Sequence, residues 1–113
     1  MQGGIVRIGD LSLDFNRRQA FKGDQRVRLT GMEFSMLELL VRRAGEAIPR
    51  LELLETVWGY RPDRASDSRV VDVHISRLRS KLEENPELPE LIITARGTGY
   101  MFVRLSDTHS AAA

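Results

Sequence analysis

The chain has 113 residues, enough for one buried core and too few for two. It has no cysteine and two histidines far apart, His74 and His109, which excludes disulfide staples and Cys-based metal sites and disfavours a His-based zinc site. The net charge is only +1, and no apolar run reaches the length of a membrane span.

The first thirty residues alternate between apolar and polar, with Ile5, Ile8, Leu11, Leu13, Phe15, Ala20, Phe21, Val27 and Leu29 as the apolar set. Gly9-Asp10, Asn16-Arg17 and Lys22-Gly23-Asp24 punctuate them as turns, which predicts short antiparallel strands. The period then changes. Thr30-Gly31-Met32-Glu33 is a capping box, and Phe34, Leu37, Leu40, Val41 and Ala44 follow at helical spacing up to Gly45, expected as the residue just past the helix end. Pro49 suits the first turn of a second helix striped by Leu51, Leu53, Leu54, Val57 and Trp58 and closed by Gly59. A polar connection follows, and a third helix is expected from about Ser66 and Asp67 to Glu84, stopped by Pro86. Leu91–Ala95 and Tyr100–Val103 read as strands around the turn Arg96-Gly97-Thr98-Gly99, whose glycines are free to take positive φ. Residues 106–113 read as a flexible tail.

Charge is clustered where the sum conceals it. Six basic residues lie between Arg61 and Lys81 against three acidic ones, and clustering matters more than the sum for binding a polyanion. On charge alone, a solvated helix face is the simpler reading. The third helix is more informative. At about 100° per residue, Val71, Ile75, Leu78 and Leu82 share one narrow stripe that must be core. The opposite side then carries Ser66, Arg69, Val73, Ser76, Arg77 and Ser80, with Asp72 on one flank and Val70 and His74 on the other. A solvated face would alternate Lys and Glu at i, i+4. This one offers arginine, which grips guanine or phosphate with two hydrogen bonds, and small serines that allow close approach. The exposed valine suits a thymine methyl. Nucleic-acid binding and a plain surface helix stand level at this point. Arg96 at a protruding turn is placed to enter a narrow minor groove, although by itself such a hairpin is an ordinary glycine turn.

These segments resemble the effector domain of OmpR/PhoB-type response regulators. The resemblance rests on Arg69-Val-Val-Asp-Val-His-Ile-Ser-Arg-Leu-Arg-Ser-Lys-Leu-Glu83, Thr94-Ala-Arg-Gly-Thr-Gly-Tyr100, Leu29-Thr-Gly-Met-Glu-Phe-Ser-Met-Leu-Glu-Leu-Leu40, Leu53-Leu54 and Val57-Trp58. The Pro62-Asp63-Arg64 stretch and the wing look like cyanobacterial and plastid members. The resemblance implies an α+β winged helix-turn-helix over residues 1–105: an N-terminal four-stranded antiparallel sheet, three helices and a C-terminal β-hairpin wing. It implies sequence-specific binding to promoter double-stranded DNA as the output domain of a two-component regulator, with helix 67–84 in the major groove and the wing around Arg96 at the minor groove or backbone.

The DNA-contacting set it implies is Arg69, Asp72, Val73, His74, Arg77, Arg79 and Arg96; the face analysis adds Ser76 and Ser80, and Thr94 at the start of the wing segment completes the candidate set. Ser76 departs from the family pattern, since many members carry Arg or Lys there. Loop 59–65, with Tyr60, Arg61, Asp63 and Arg64, matches the segment that meets RNA polymerase or a neighbouring subunit. Head-to-tail dimers on direct repeats are implied as well, and the family's receiver domain lies outside this chain. No cofactor and no enzymatic activity are expected: His74 lacks a nucleophile at a signature spacing, and Gly97-Thr98-Gly99 leads into a strand rather than a phosphate-binding helix. The start Met1-Gln2-Gly3-Gly4 lacks a secretory signal, so the expected compartment is the cytoplasm, or the plastid stroma for an organellar member. The rival of another class is a winged helix that binds protein instead of DNA.

Overall fold

The computed structural model describes residues 4–59 and 68–104. The alternating N-terminal segment forms strands β1 (Ile5–Ile8), β2 (Leu11–Asp14), β3 (Gln19–Lys22) and β4 (Gln25–Val27), an antiparallel sheet in the order β1-β2-β3-β4. Val6, Leu13, Ala20 and Val27 lie in register across all four strands, and this row faces the core. The next row, Arg7, Ser12, Phe21 and Arg26, has the opposite facing that the period of two requires.

Helix α1 (Gly31–Arg42) begins with the expected capping box. The Thr30 hydroxyl accepts the Glu33 N–H at 3.1 Å, and the Glu33 carboxylate accepts the Thr30 N–H at 2.9 Å. Such a cap contributes about 1 kcal/mol. Gly45 is not the terminating residue. The helix is capped at Arg43, and Gly45, at φ +85°, instead donates its N–H to the Phe102 carbonyl at 2.8 Å.

Pro49 also differs from expectation. It lies just outside α2 (Arg50–Trp58), in the two-residue strand β5 (Ile48–Pro49). Leu53 and Leu54 are buried as the stripe required, whereas Leu51 is 47% exposed. Gly59 ends α2 in the left-handed conformation, its N–H on the Glu55 carbonyl.

Helix α3 spans Arg69–Leu82, and Ser66 and Asp67 lie outside the described residues. Val71, Ile75, Leu78 and Leu82 are all at most 2% exposed, so the aliphatic stripe is packed inward. Each such side chain contributes about 1.5–3 kcal/mol relative to an exposed one. The helix ends two residues earlier than Pro86 alone suggests. Glu83 turns to extended geometry (ψ 144°) because its buried carboxylate accepts the N–H groups of Glu90, Leu91 and Ile92 at 2.8–3.0 Å.

Those bonds anchor β6 (Ile92–Ala95), which pairs with β7 (Gly99–Phe102) as the hairpin. The wing is more than a hairpin, since β5 adds to its other edge and the sheet order is β5-β7-β6. The core joins Leu11 and Leu13 of the first sheet, Leu37 and Leu40 of α1, the α3 stripe, and Ile92 and Phe102 of the second sheet. Among the described residues no helix is long and apolar enough to cross a membrane.

Candidate nucleic-acid interface

With the stripe packed inward, the reverse side of α3 is open. Arg69, Ser76, Arg77 and Ser80 are exposed, and Val73 is 46% exposed. Among the described residues assigned outward, from Arg69 to Ser80, none is covered by either sheet, and Ser66 lies outside the described residues. Arg69 and Arg77 make no hydrogen bond or salt bridge with the described residues. The face therefore offers two uncommitted guanidinium groups, two small hydroxyls and one apolar side chain along a 14-residue helix. A helix of that kind fits a major groove roughly 12 Å wide.

The flanking residues are half-buried and engaged. The Asp72 carboxylate accepts from Arg50 Nε at 2.9 Å and from the Tyr100 hydroxyl at 2.6 Å. Burial and the Asp72 acceptor both push the Tyr100 hydroxyl above its usual range, and the Asp72 charge raises Arg50. His74 donates from Nδ1 to the Val70 carbonyl at 2.9 Å and stands edge-on to Trp58 at 4.9 Å between centroids. A neutral ring so held leaves Nε2 as an acceptor. Arg79 donates to the Ile92 carbonyl at 2.8 Å and to Thr94 Oγ1 at 2.9 Å, with its guanidinium 5.5 Å from the Tyr100 ring centroid. It thus ties α3 to the wing and fixes their mutual orientation.

Lys81 is held by Glu33 of α1 at 2.6 Å. Burial opposes ionisation of Glu33, but hydrogen bonds from Lys81 and the Thr30 amide outweigh it and hold the carboxyl below its ordinary value.

At the wing, Arg96 and Thr94 are exposed, and the Thr98 N–H closes the turn on the Ala95 carbonyl at 2.9 Å. Only one of the two glycines takes positive φ: Gly97 does, at +80°. Gly99 is required for a different reason, since a Cβ there would lie 2.0 Å from the Ile48 carbonyl oxygen across the β5–β7 pair. Tyr60, Arg61, Asp63 and Arg64 lie outside the described residues.

Sequence reasoning missed Arg50 and placed Tyr100 only in the returning strand of the hairpin. One signal was available for Arg50, because a cation at the start of a helix opposes the helix dipole and needs another reason to be there. That reason is Asp72. A cavity of about 360 Å³ lies elsewhere, between the β1–β2 turn and the end of α3, near Leu82, Leu88 and Leu91. Among the described residues no cluster of His, Cys, Asp or Glu could hold a metal ion.

Comparison with known proteins agrees with this architecture. The family described as transcriptional regulatory protein, C terminal, matches residues 24–102. The probable transcriptional regulator ycf27 of Porphyra purpurea is 63% identical over 102 residues, 90% of this chain and 42% of its own length. This chain thus spans less than half of that relative. The DNA-binding domain of Klebsiella pneumoniae RstA, solved in complex with the RstA box, superposes with a TM-score of 0.79 at 38% identity, covering 88% of this chain and 96% of that one. The Thermotoga maritima response regulator DrrB, an OmpR/PhoB homologue, gives 0.80 at 37% identity over 88% of this chain and 44% of its own. This chain belongs to the C-terminal domain family of transcriptional regulatory proteins, in its OmpR/PhoB-type winged-helix form.

Proposed function

We propose that this chain binds promoter double-stranded DNA sequence-specifically, as the output domain of a two-component response regulator. The observation that carries the reading is the outward face of α3, where Arg69 and Arg77 are exposed with no partner among the described residues, around Val73, Ser76 and Ser80. Arg69 and Arg77 reach base edges or phosphates, Val73 meets a thymine methyl, and the serines admit the backbone closely. Arg96 enters the minor groove or grips the flanking backbone. Asp72, His74, Arg79 and Thr94 act from the flanks, and their internal bonds pre-orient them. The DNA-bound state of the related RstA domain supports this assignment. The reading is of binding and not catalysis. It extends to a head-to-tail pair on direct repeats, to RNA polymerase or a neighbouring subunit at residues 59–65, and to phosphorylation control by a receiver domain outside these residues. It is also compatible with the cytoplasm or a plastid stroma.

Duplex affinity measured across a series of salt concentrations tests it. Binding should weaken with log K falling against log[salt] at about −0.9 per neutralised phosphate. A flat response would favour a protein-binding module instead.

A further inference from the structure

The wing contributes one buried polar group to the flank of α3. Tyr100 of β7 is 8% exposed, and its hydroxyl donates to Asp72 Oδ1 at 2.6 Å. We infer that Tyr100 is a positioning residue for sequence discrimination: it acts through the Asp72 carboxylate, which it fixes at the edge of the outward face of α3. The inference rests on the DNA-binding reading above and adds to it a residue that itself touches no DNA.

Two donors converge on a single oxygen. Arg50 Nε donates to the same Oδ1 at 2.9 Å, so no described residue occupies Oδ2, on a side chain that is 38% exposed. One tether would let the carboxylate pivot about its contact. Two directional bonds from different elements, β7 and the start of α2, fix its plane. Burial and the Asp72 acceptor hold the Tyr100 hydroxyl above its usual range, so it keeps its proton and remains a donor at neutral pH. A fixed carboxylate is selective toward a duplex. Phosphates carry no donor and repel it, and in the major groove only the amino groups of cytosine and adenine can give it a hydrogen bond. Held in place, Asp72 favours some base pairs over others; free to turn, it discriminates less. The ring of Tyr100 serves the same flank, since the Arg79 guanidinium lies 5.5 Å from its centroid. Tyr100→Phe keeps that ring and removes the hydroxyl alone.

The test compares wild type, Tyr100→Phe, Asp72→Ala and the double variant on a duplex recovered by binding-site selection and on a scrambled duplex of equal length. Tyr100→Phe should weaken the selected duplex by about fivefold and the scrambled one by less than about twofold. The salt slope should not change, because no phosphate contact is lost. In the Asp72→Ala background the same substitution should add nothing on either duplex. Circular dichroism at the binding temperature checks that each variant is folded. Equal loss on the two duplexes, a lower salt slope or full additivity with Asp72→Ala overturns the positioning role while leaving the DNA-binding reading in place. A Tyr100→Phe chain that no longer folds overturns it too, since the hydroxyl would then serve stability. A wild type that binds no duplex removes both.

Discussion

The arginines packed around α1 and those on the open side of α3 and the wing differ in how they are spent. Arg42 is paired with Glu38 at 2.9 Å and lies over Phe15, and Arg43 is held between Glu46 and Glu52. Arg18 reaches Glu38 and stacks on Phe34. Arg69, Arg77 and Arg96 make no such contact with the described residues. Both regions are rich in arginine, so counting charge does not separate them. Pairing does. A guanidinium already matched to a carboxylate gains little from a phosphate, whereas an unmatched one beside a groove-sized helix is offered outward.

Substitutions can break that contrast at either end. The largest effect is expected where a paired cation meets a buried anion. Lys81→Ala leaves the 2%-exposed Glu33 uncompensated, and stability should fall by about 2–3 kcal/mol in a denaturant titration, below the range of about 3–5 for a fully buried pair because Lys81 is one-third exposed. Acid should act in the same direction. The folded carboxyl titrates below its ordinary value of 4.5, so its stabilisation is present above that pH and is lost as pH falls through the lower folded value.

Arg77→Ala inverts the pattern: roughly 1–3 kcal/mol of operator affinity should go with no change in melting temperature. Arg96→Ala should remove about 1 kcal/mol with little change in core base preference, because a wing contact positions more than it reads. Arg42→Ala should cost at most about 1 kcal/mol of stability and leave duplex affinity unaltered. Loss of duplex affinity there would erase the distinction between the two regions.

Local signals were legible wherever they were self-contained. Thr30 and Glu33 sit three residues apart in sequence, which is all a capping box needs, and the Val71-Ile75-Leu78-Leu82 stripe follows from helical period alone. What escaped reading is what depends on partners distant in sequence. Glu83 leaves α3 to serve the amides of Glu90, Leu91 and Ile92, a demand invisible in the residues beside it. Gly99 is small because the Ile48 carbonyl approaches it, and Ile48–Pro49 becomes a strand because β7 has a free edge there. Arg79 belongs to the basic run in sequence, but in the fold it is a strut between helix and wing. The candidate interface was thus legible as an open helix face, while the framework of Arg50, Asp72, Tyr100 and Arg79 beside it required the tertiary structure.

Amide chemical-shift mapping on addition of a selected duplex tests the central assignment most directly. The largest shifts should fall on Arg69, Val73, Ser76, Arg77 and Ser80 and on the wing around Gly97, with β1–β4 little affected. Shifts confined to the β1–β4 sheet, with the outward side of α3 silent, would contradict the account.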